Sequence, residues 1–225
     1  MQMQKILSGV RQFQSEVFPK QREFFESLSR KQQRPLALFI TCSDSRVNPN
    51  LITQTEPGDL FLLRNAGNLV PSHGAAIAGG EAATIEYSIE VLGIRHIIIC
   101  GHSQCGAVNA LLNSEKIADL PEAAAWFKHA EATRRIMRQK QRDLDLNAAE
   151  LAVAATEQNV LVQVNNLSTH PCVAARLSSG DLQVYGWYYD IGTGRIRQYD
   201  QAMGRFAELD GEAIAASPLP SLAAC

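Results

Sequence analysis

Pro35-Leu36-Ala37-Leu38-Phe39-Ile40-Thr41-Cys42-Ser43-Asp44-Ser45-Arg46 is the stretch on which the reading of this chain turns. An unbroken apolar run from Leu36 to Ile40, with Pro35 ahead of it and Pro49 beyond, has the pattern of a buried strand that opens into a polar loop. That loop brings a thiol, a carboxylate and a guanidinium close together as Cys42, Asp44 and Arg46. A second apolar run, Ile97-Ile98-Ile99-Cys100, leads straight into Gly101-His102-Ser103-Gln104-Cys105-Gly106. Cys42, His102 and Cys105 together offer two thiolates and an imidazole, three of the four donors that tetrahedral zinc takes. A set of three protein ligands leaves one position for water, which separates a catalytic zinc from a structural one.

A cysteine at a strand end is more often a small buried hydrophobe than a ligand, and Cys100, inside its strand, keeps that reading. Cys42 departs from it through the joint pattern. Two strand ends carry zinc-type donors, and His102 and Cys105 lie on either side of a strand-to-helix turn that brings both side chains to one point. A phosphatase-like pairing of Cys42 with Arg46 fits poorly, because no glycine-rich phosphate cradle lies between them.

The surrounding pattern predicts a single α/β domain. At 225 residues the chain is long enough for one sizeable core. Its net charge of −2, with both signs intermixed, leaves no basic footprint for nucleic acid. No apolar run reaches the length of a membrane span, and residues 1–5 lack the features of a secretory signal. Cysteines at 42, 100, 105, 172 and 225 follow no disulfide framework, which suits a reducing cytoplasm.

Ile6, Val10, Phe13 and Val17, then Phe24, Phe25 and Leu28, predict two amphipathic helices broken at Pro19. Strands are expected over 36–41, 60–64 and 96–100. A short crossover at 50–54 and a helix from Gly79-Gly80 to Leu92, ended by Gly93, would connect them. Such alternation argues a mostly parallel central sheet flanked by helices, with ligands bound where neighbouring connections diverge. Helices are expected at 106–112, 147–167 and 171–177. The charged run 128–145, with Arg134, Arg135, Arg138, Lys140 and Arg142, reads as a solvated helix face. Gly192-Thr193-Gly194 turns the strand 183–189 into 195–199, a C-terminal hairpin. Residues 1–210 are expected to form one domain, with 1–33 as a helical arm, and 211–225 to be a mobile tail.

The motifs taken together resemble the β-class carbonic anhydrases, and within them the plant-type and cyanobacterial members. Cys42-Ser43-Asp44-Ser45-Arg46 and His102-x-x-Cys105-Gly106 carry the resemblance. So do Pro57-Gly58-Asp59-Leu60-Phe61, Arg64-Asn65-Ala66-Gly67-Asn68-Leu69-Val70-Pro71, Glu86-Tyr87 and Gly186-Trp187-Tyr188-Tyr189-Asp190. It spans roughly residues 5 to 200.

The resemblance implies zinc on Cys42, His102 and Cys105, and reversible hydration of carbon dioxide to bicarbonate by a zinc-held hydroxide. It implies that Arg46 holds Asp44 as a hydrogen-bond acceptor beside the metal, and that Gln33, Phe61, Ala66, Tyr87 and Gly106 shape the substrate pocket. Ala66 is valine in several relatives. The helical arm would cross a second protomer, giving a homodimer or larger homo-oligomer. Two thiolates make zinc a weaker Lewis acid than three histidines do. The bound water is therefore expected to titrate somewhat above about 7. Regulated relatives carry a tryptophan in a second bicarbonate site. Here no tryptophan precedes Cys42 and Gln33 fits the open pattern, so an open site is expected.

Two other functions suit parts of the pattern. One is hydrolysis of an isostere, carbonyl sulfide or carbon disulfide, on the same zinc. The other is a non-catalytic, zinc-stabilised interaction module, which would need a fourth protein ligand such as Cys100, Cys172 or His73. A carboxysome, cyanate metabolism and general bicarbonate supply are all compatible physiological settings.

Overall fold

The computed structural model describes residues 2–75 and 79–209. The tail expected over 211–225 lies outside them. The chain divides into two compact units, Met1–Arg34 and Pro35–Cys225.

The first unit is helical: α1 (Gln2–Gln12), a π-helical turn (Phe13–Val17), α2 (Phe18–Lys20) and α3 (Arg22–Arg30). Contrary to the break expected at Pro19, that residue lies within the helix. The chain stays helical to Lys20 and breaks at Gln21, whose φ and ψ are −114° and 20°. Pro19 has no N–H to give the preceding turn, and the widened π turn stands immediately ahead of it. Phe13, Phe18 and Phe25 pack ring on ring, with centroids 5.5–6.2 Å apart. None of the described residues in these helices is buried. Met3, Ile6, Leu7, Val10, Phe13, Val17 and Leu28 stand exposed.

The second unit is a six-stranded sheet in the order β2-β1-β3-β4-β5-β6. β1 (Ala37–Cys42), β2 (Leu60–Asn65), β3 (His96–His102) and β4 (Gln183–Tyr189) run parallel, and β5 (Ile196–Asp200) and β6 (Arg205–Glu208) are antiparallel. The α/β architecture and the C-terminal hairpin match the expectation. β6, a third strand beyond the hairpin, was not read: Arg205-Phe206-Ala207-Glu208 is too short to show an alternation.

Helices α4 (Pro49–Thr53), α5 (Gly80–Glu90), α6 (Gly106–Leu112), α7 (Pro121–Trp126), α8 (Glu131–Asp143), α9 (Ala148–Ser168) and α10 (Pro171–Ser178) cover the sheet. Asn147 starts α9 with a capping box: its side chain accepts from the amides of Ala149 and Glu150, and Glu150 accepts from the Asn147 amide. β3 runs two residues beyond the expected end at Cys100, because Gly101 continues the strand rather than stopping it. A Cβ at Gly101 would stand 2.8 Å from Thr156 Cγ2 and 2.9 Å from Val160 Cγ2. Glycine is there to let α9 lie close on the sheet.

The core is aliphatic. Leu38, Ile40, Ile97 and Ile99 alternate on one sheet face and pack with Ile85, Ile89, Val160 and Leu167 from α5 and α9. Phe39, Ile98 and Cys100 point to the other face, where the Phe39 ring meets Trp187 edge-on at 5.9 Å. From β1 the chain passes to β2 on one side, and from β3 to β4 on the other. The order of strands therefore reverses between β1 and β3, and the crevice at their carboxyl ends is where such sheets bind ligands.

Candidate metal centre

Cys42 ends β1 and His102 ends β3, on neighbouring strands whose register pairs Thr41 with Cys100. Cys105 is the residue before the first turn of α6. The three ligand atoms lie within 4.8 Å of one another, and all three residues are buried. No fourth His, Cys, Asp or Glu belongs to the group among the described residues, so Cys100, Cys172 and His73 do not close it.

The imidazole shows which atom faces the centre. His102 Nδ1 lies 2.9 Å from the Ser103 carbonyl, which can only accept, so Nδ1 carries the hydrogen. Nε2 then has the free lone pair in the neutral ring. It is fully buried and has no hydrogen-bond partner. Leaving a buried polar atom unpaired costs about 1–3 kcal/mol, and a metal is the usual reason for tolerating it beside two thiols. The donor set therefore fits a soft, four-coordinate cation with one position open.

The sulfurs stand 4.0 Å apart. The hydrogen bond from Cys105 draws the Cys42 thiol down to about 4, helped by His102 and the Gly67 amide against the opposing effect of burial. Cys105 is pushed up, first by that shared bond and then by burial, while the amides of Ala107 and Val108 pull it back. Two bare thiolates this close repel one another, and a divalent cation between them removes the conflict.

Asp44 and Arg46 form a two-point pair. Arg46 Nε donates to Asp44 Oδ1 at 2.9 Å and Nη2 to Oδ2 at 2.8 Å, and the Arg46 amide adds a bond to Oδ1 at 3.0 Å. The guanidinium holds the carboxyl well below the usual carboxylate range. Arg46 also reaches across to Gln104, with Nη2 3.2 Å from its carbonyl. It thereby ties the β1 loop to the β3–α6 turn, where Gln104 takes a left-handed φ of 54°. Asp44 Oδ2 lies 3.9 Å from His102 Nε2, beside the point on which the three donors converge.

Of the residues expected to shape the pocket, Gly106 adjoins the trio in sequence and Ala66 stands next to a residue that contacts it. Ala66 precedes the Gly67 amide that meets Cys42 Sγ, and Gly106 opens α6 after Cys105. Phe61 and Tyr87 do not join them. Phe61 pairs with Leu38, four residues before Cys42, which is about 13 Å along the strand. The Tyr87 ring packs against Phe61, with centroids 6.2 Å apart, and is 45% exposed. Gln33 belongs to the N-terminal unit and is exposed.

Sequence reasoning missed Arg64, whose Nη2 donates to the carbonyls of both Cys42 and Asp44 at 2.9 Å and so braces the ligand loop from β2. It also missed the polar face of α9. Asn159, Gln163 and Asn166 recur at helical spacing within a long, largely buried helix, and that stripe was the available signal.

A mostly parallel α/β sheet carries, at its switch point, a buried Cys-His-Cys trio that could hold a metal ion. A family model for carbonic anhydrase matches residues 37–196. A carbonic anhydrase of Pseudomonas aeruginosa is 46% identical over 92% of each chain. The solved β-carbonic anhydrase CcaA superposes with a TM-score of 0.89 at 44% identity, covering 94% of this chain and 93% of that one. One of two tetrameric β-carbonic anhydrases of Sordaria macrospora matches at a TM-score of 0.78 and 27% identity, over 92% of this chain and 98% of its own. The chain belongs to the β-class carbonic anhydrases and is an enzyme of that kind. The non-catalytic interaction module is set aside by that membership. Among the described residues no helix is long and apolar enough to cross a membrane.

Proposed function

We propose that the chain hydrates carbon dioxide reversibly to bicarbonate and a proton, with zinc held by Cys42 Sγ, His102 Nε2 and Cys105 Sγ. The observation that carries the reading is the buried, unpartnered His102 Nε2 beside two sulfurs 4.0 Å apart. Zinc bound there would lower the pKa of a coordinated water and so supply the nucleophile near neutral pH.

The chain's own residues orient that chemistry. Arg46 occupies both Asp44 oxygens, which keeps the carboxylate ionised and restrains it from swinging onto the metal. Asp44 Oδ2, facing the centre, is an acceptor for a proton borne by a group at the open position, which turns that group's lone pair toward the substrate. This two-point grip supports the constitutively open subtype rather than the bicarbonate-regulated one. Ala66 and Gly106 present small, apolar surfaces at the mouth, suited to a small apolar substrate.

Phe61 and Tyr87 lie too far down the sheet to line their own chain's trio. We assign them, with Gln33, to the site of a second copy. The exposed apolar stripe of the N-terminal helices and the tetrameric relatives support a homo-oligomer. The four described cysteines are free, which supports a cytoplasmic setting.

Stopped-flow carbon dioxide hydration, run beside hydrogen sulfide release from carbonyl sulfide and carbon disulfide, tests the substrate. The reading predicts that hydration dominates. Faster hydrolysis of either sulfur compound would move the assignment to the isostere.

A further inference from the structure

We propose that Trp126 and Asn159 are positioning residues for the metal ligand Cys42, acting through the peptide that joins Ala66 to Gly67. The inference rests on reading the trio as a metal site. That peptide has a partner at each end. Its N–H, from Gly67, meets Cys42 Sγ at 3.4 Å, and its carbonyl, from Ala66, accepts the Trp126 indole N–H at 2.8 Å. A donor on the carbonyl polarises an amide and strengthens the bond its N–H makes. The indole and the sulfur are thus linked through one peptide plane.

The next carbonyl, Gly67 O, accepts from Asn159 Nδ2 at 3.0 Å. Asn159 is fully buried, and its oxygen is fixed by Thr133 Oγ1 at 3.1 Å and Gln163 Nε2 at 3.0 Å. Its amide can therefore point only one way. Gln163 then accepts the Val70 amide at 2.9 Å, and Asn166 donates to the Val70 carbonyl at 3.0 Å. Asn65 grips both polar groups of Leu69. Side chains thus hold the backbone of this loop at residues 66, 67, 69 and 70. Gly67 has a φ of +86°, and a Cβ on it would meet Ala107 Cβ at 3.0 Å. The close approach of its N–H to the ligand sulfur is therefore available to glycine alone.

A merely structural role for these bonds is satisfaction of a buried loop. A positioning role also fixes the direction of an N–H that draws charge from a metal-bound thiolate, and outer-shell groups of that kind carry about 10- to 100-fold in metal affinity. Cobalt(II) substituted for zinc separates the two, because the sulfur-to-cobalt charge-transfer band reports the electron density on the ligand sulfur. Trp126→Phe keeps the ring and removes the donor. Asn159→Leu keeps the volume and removes the grip on Gly67.

Both variants are expected to shift the band to lower energy and to lose zinc about tenfold more readily to a competing chelator. Leu167→Ala, a core truncation on the same helix, is expected to lower Tm and leave the band in place. If Asn159→Leu fails to fold, Trp126→Phe decides alone. Variants that bind zinc as tightly as the parent, with an unmoved band, would overturn the inference while leaving the metal site intact. A parent protein that takes up neither metal would overturn the reading of the site and the inference with it.

Discussion

The carboxyl edge of β1 and β3 and the N-terminal helical unit break the ordinary rules of burial in opposite senses. At the sheet edge buried and half-buried polar groups are mostly paired: Asp44 by Arg46, the Gly67 carbonyl by Asn159, the Cys42 carbonyl by Arg64. His102 Nε2 is unpaired and faces two sulfurs, and the buried Asn68 amide of the neighbouring loop is unpaired as well. In the N-terminal helices the anomaly is apolar, a stripe from Met3 to Leu28 in which no described residue is buried. An unsatisfied buried nitrogen calls for a ligand, and an uncovered apolar stripe calls for protein. The metal-ligand trio of the first region and the groups that brace it all come from one chain, whereas the stripe of the second is left for another copy to cover.

The largest effect should come from breaking the first region. Cys42→Ser, His102→Ala and Cys105→Ser are each expected to lose bound zinc and hydration together, down to the uncatalysed background, since a hydroxyl or a methyl cannot replace these donors. Metal analysis of each purified variant checks this, and near-stoichiometric zinc in Cys42→Ser would contradict it. Next in size comes removal of residues 1–28. If the stripe covers a second copy, the truncated chain should sediment as dissociated or aggregated material with most activity lost. A truncated protein that is monomeric, soluble and fully active would show that the stripe has no such partner.

Arg46→Ala sharpens the contrast at finer scale, because it leaves the trio whole and frees the carboxylate. Zinc should remain near one per chain while turnover falls about 10- to 100-fold. Loss of zinc along with turnover would make Arg46 a support of the metal instead. The smallest effect belongs to Cys100→Ala, two residues before His102 on the same strand. Burial pushes that thiol up to about 12, and its side chain packs among Ala37, Phe39 and Ile98. The variant should cost about 1 kcal/mol of stability by denaturant titration and leave zinc and hydration unchanged. A change in metal content would mean that the two cysteines are not as separate as they stand.

Much of the sheet edge was legible in the sequence, for physical reasons. An apolar run buried on both faces ends sharply where polar residues begin, so the positions of Cys42 and His102 at strand ends followed from Leu36–Ile40 and Ile97–Ile99. The alternation of strands and helices carried the parallel order. Gly101 misled, because a glycine that admits a neighbouring helix looks the same as one that stops a strand. Pro19 misled in a similar way, since a widened turn absorbed it within the helix. Arg64, Trp126 and Asn159 were out of reach because each acts on a backbone group tens of residues away, and such bonds leave no local spacing. Phe61 and Tyr87 were placed in the pocket by resemblance; the β1–β2 register sets Phe61 four residues down the strand from Cys42, and Tyr87 packs against Phe61 there.

The central claim is that the buried trio holds one catalytic zinc. Metal content and carbon dioxide hydration measured on the same purified protein test it most directly, before and after chelation and zinc restoration. The account predicts about one zinc per chain, hydration that disappears with the metal and returns with it, and no recovery when the same steps are applied to His102→Ala. Full hydration by metal-free protein, or a zinc-replete protein that does not hydrate carbon dioxide, would contradict it.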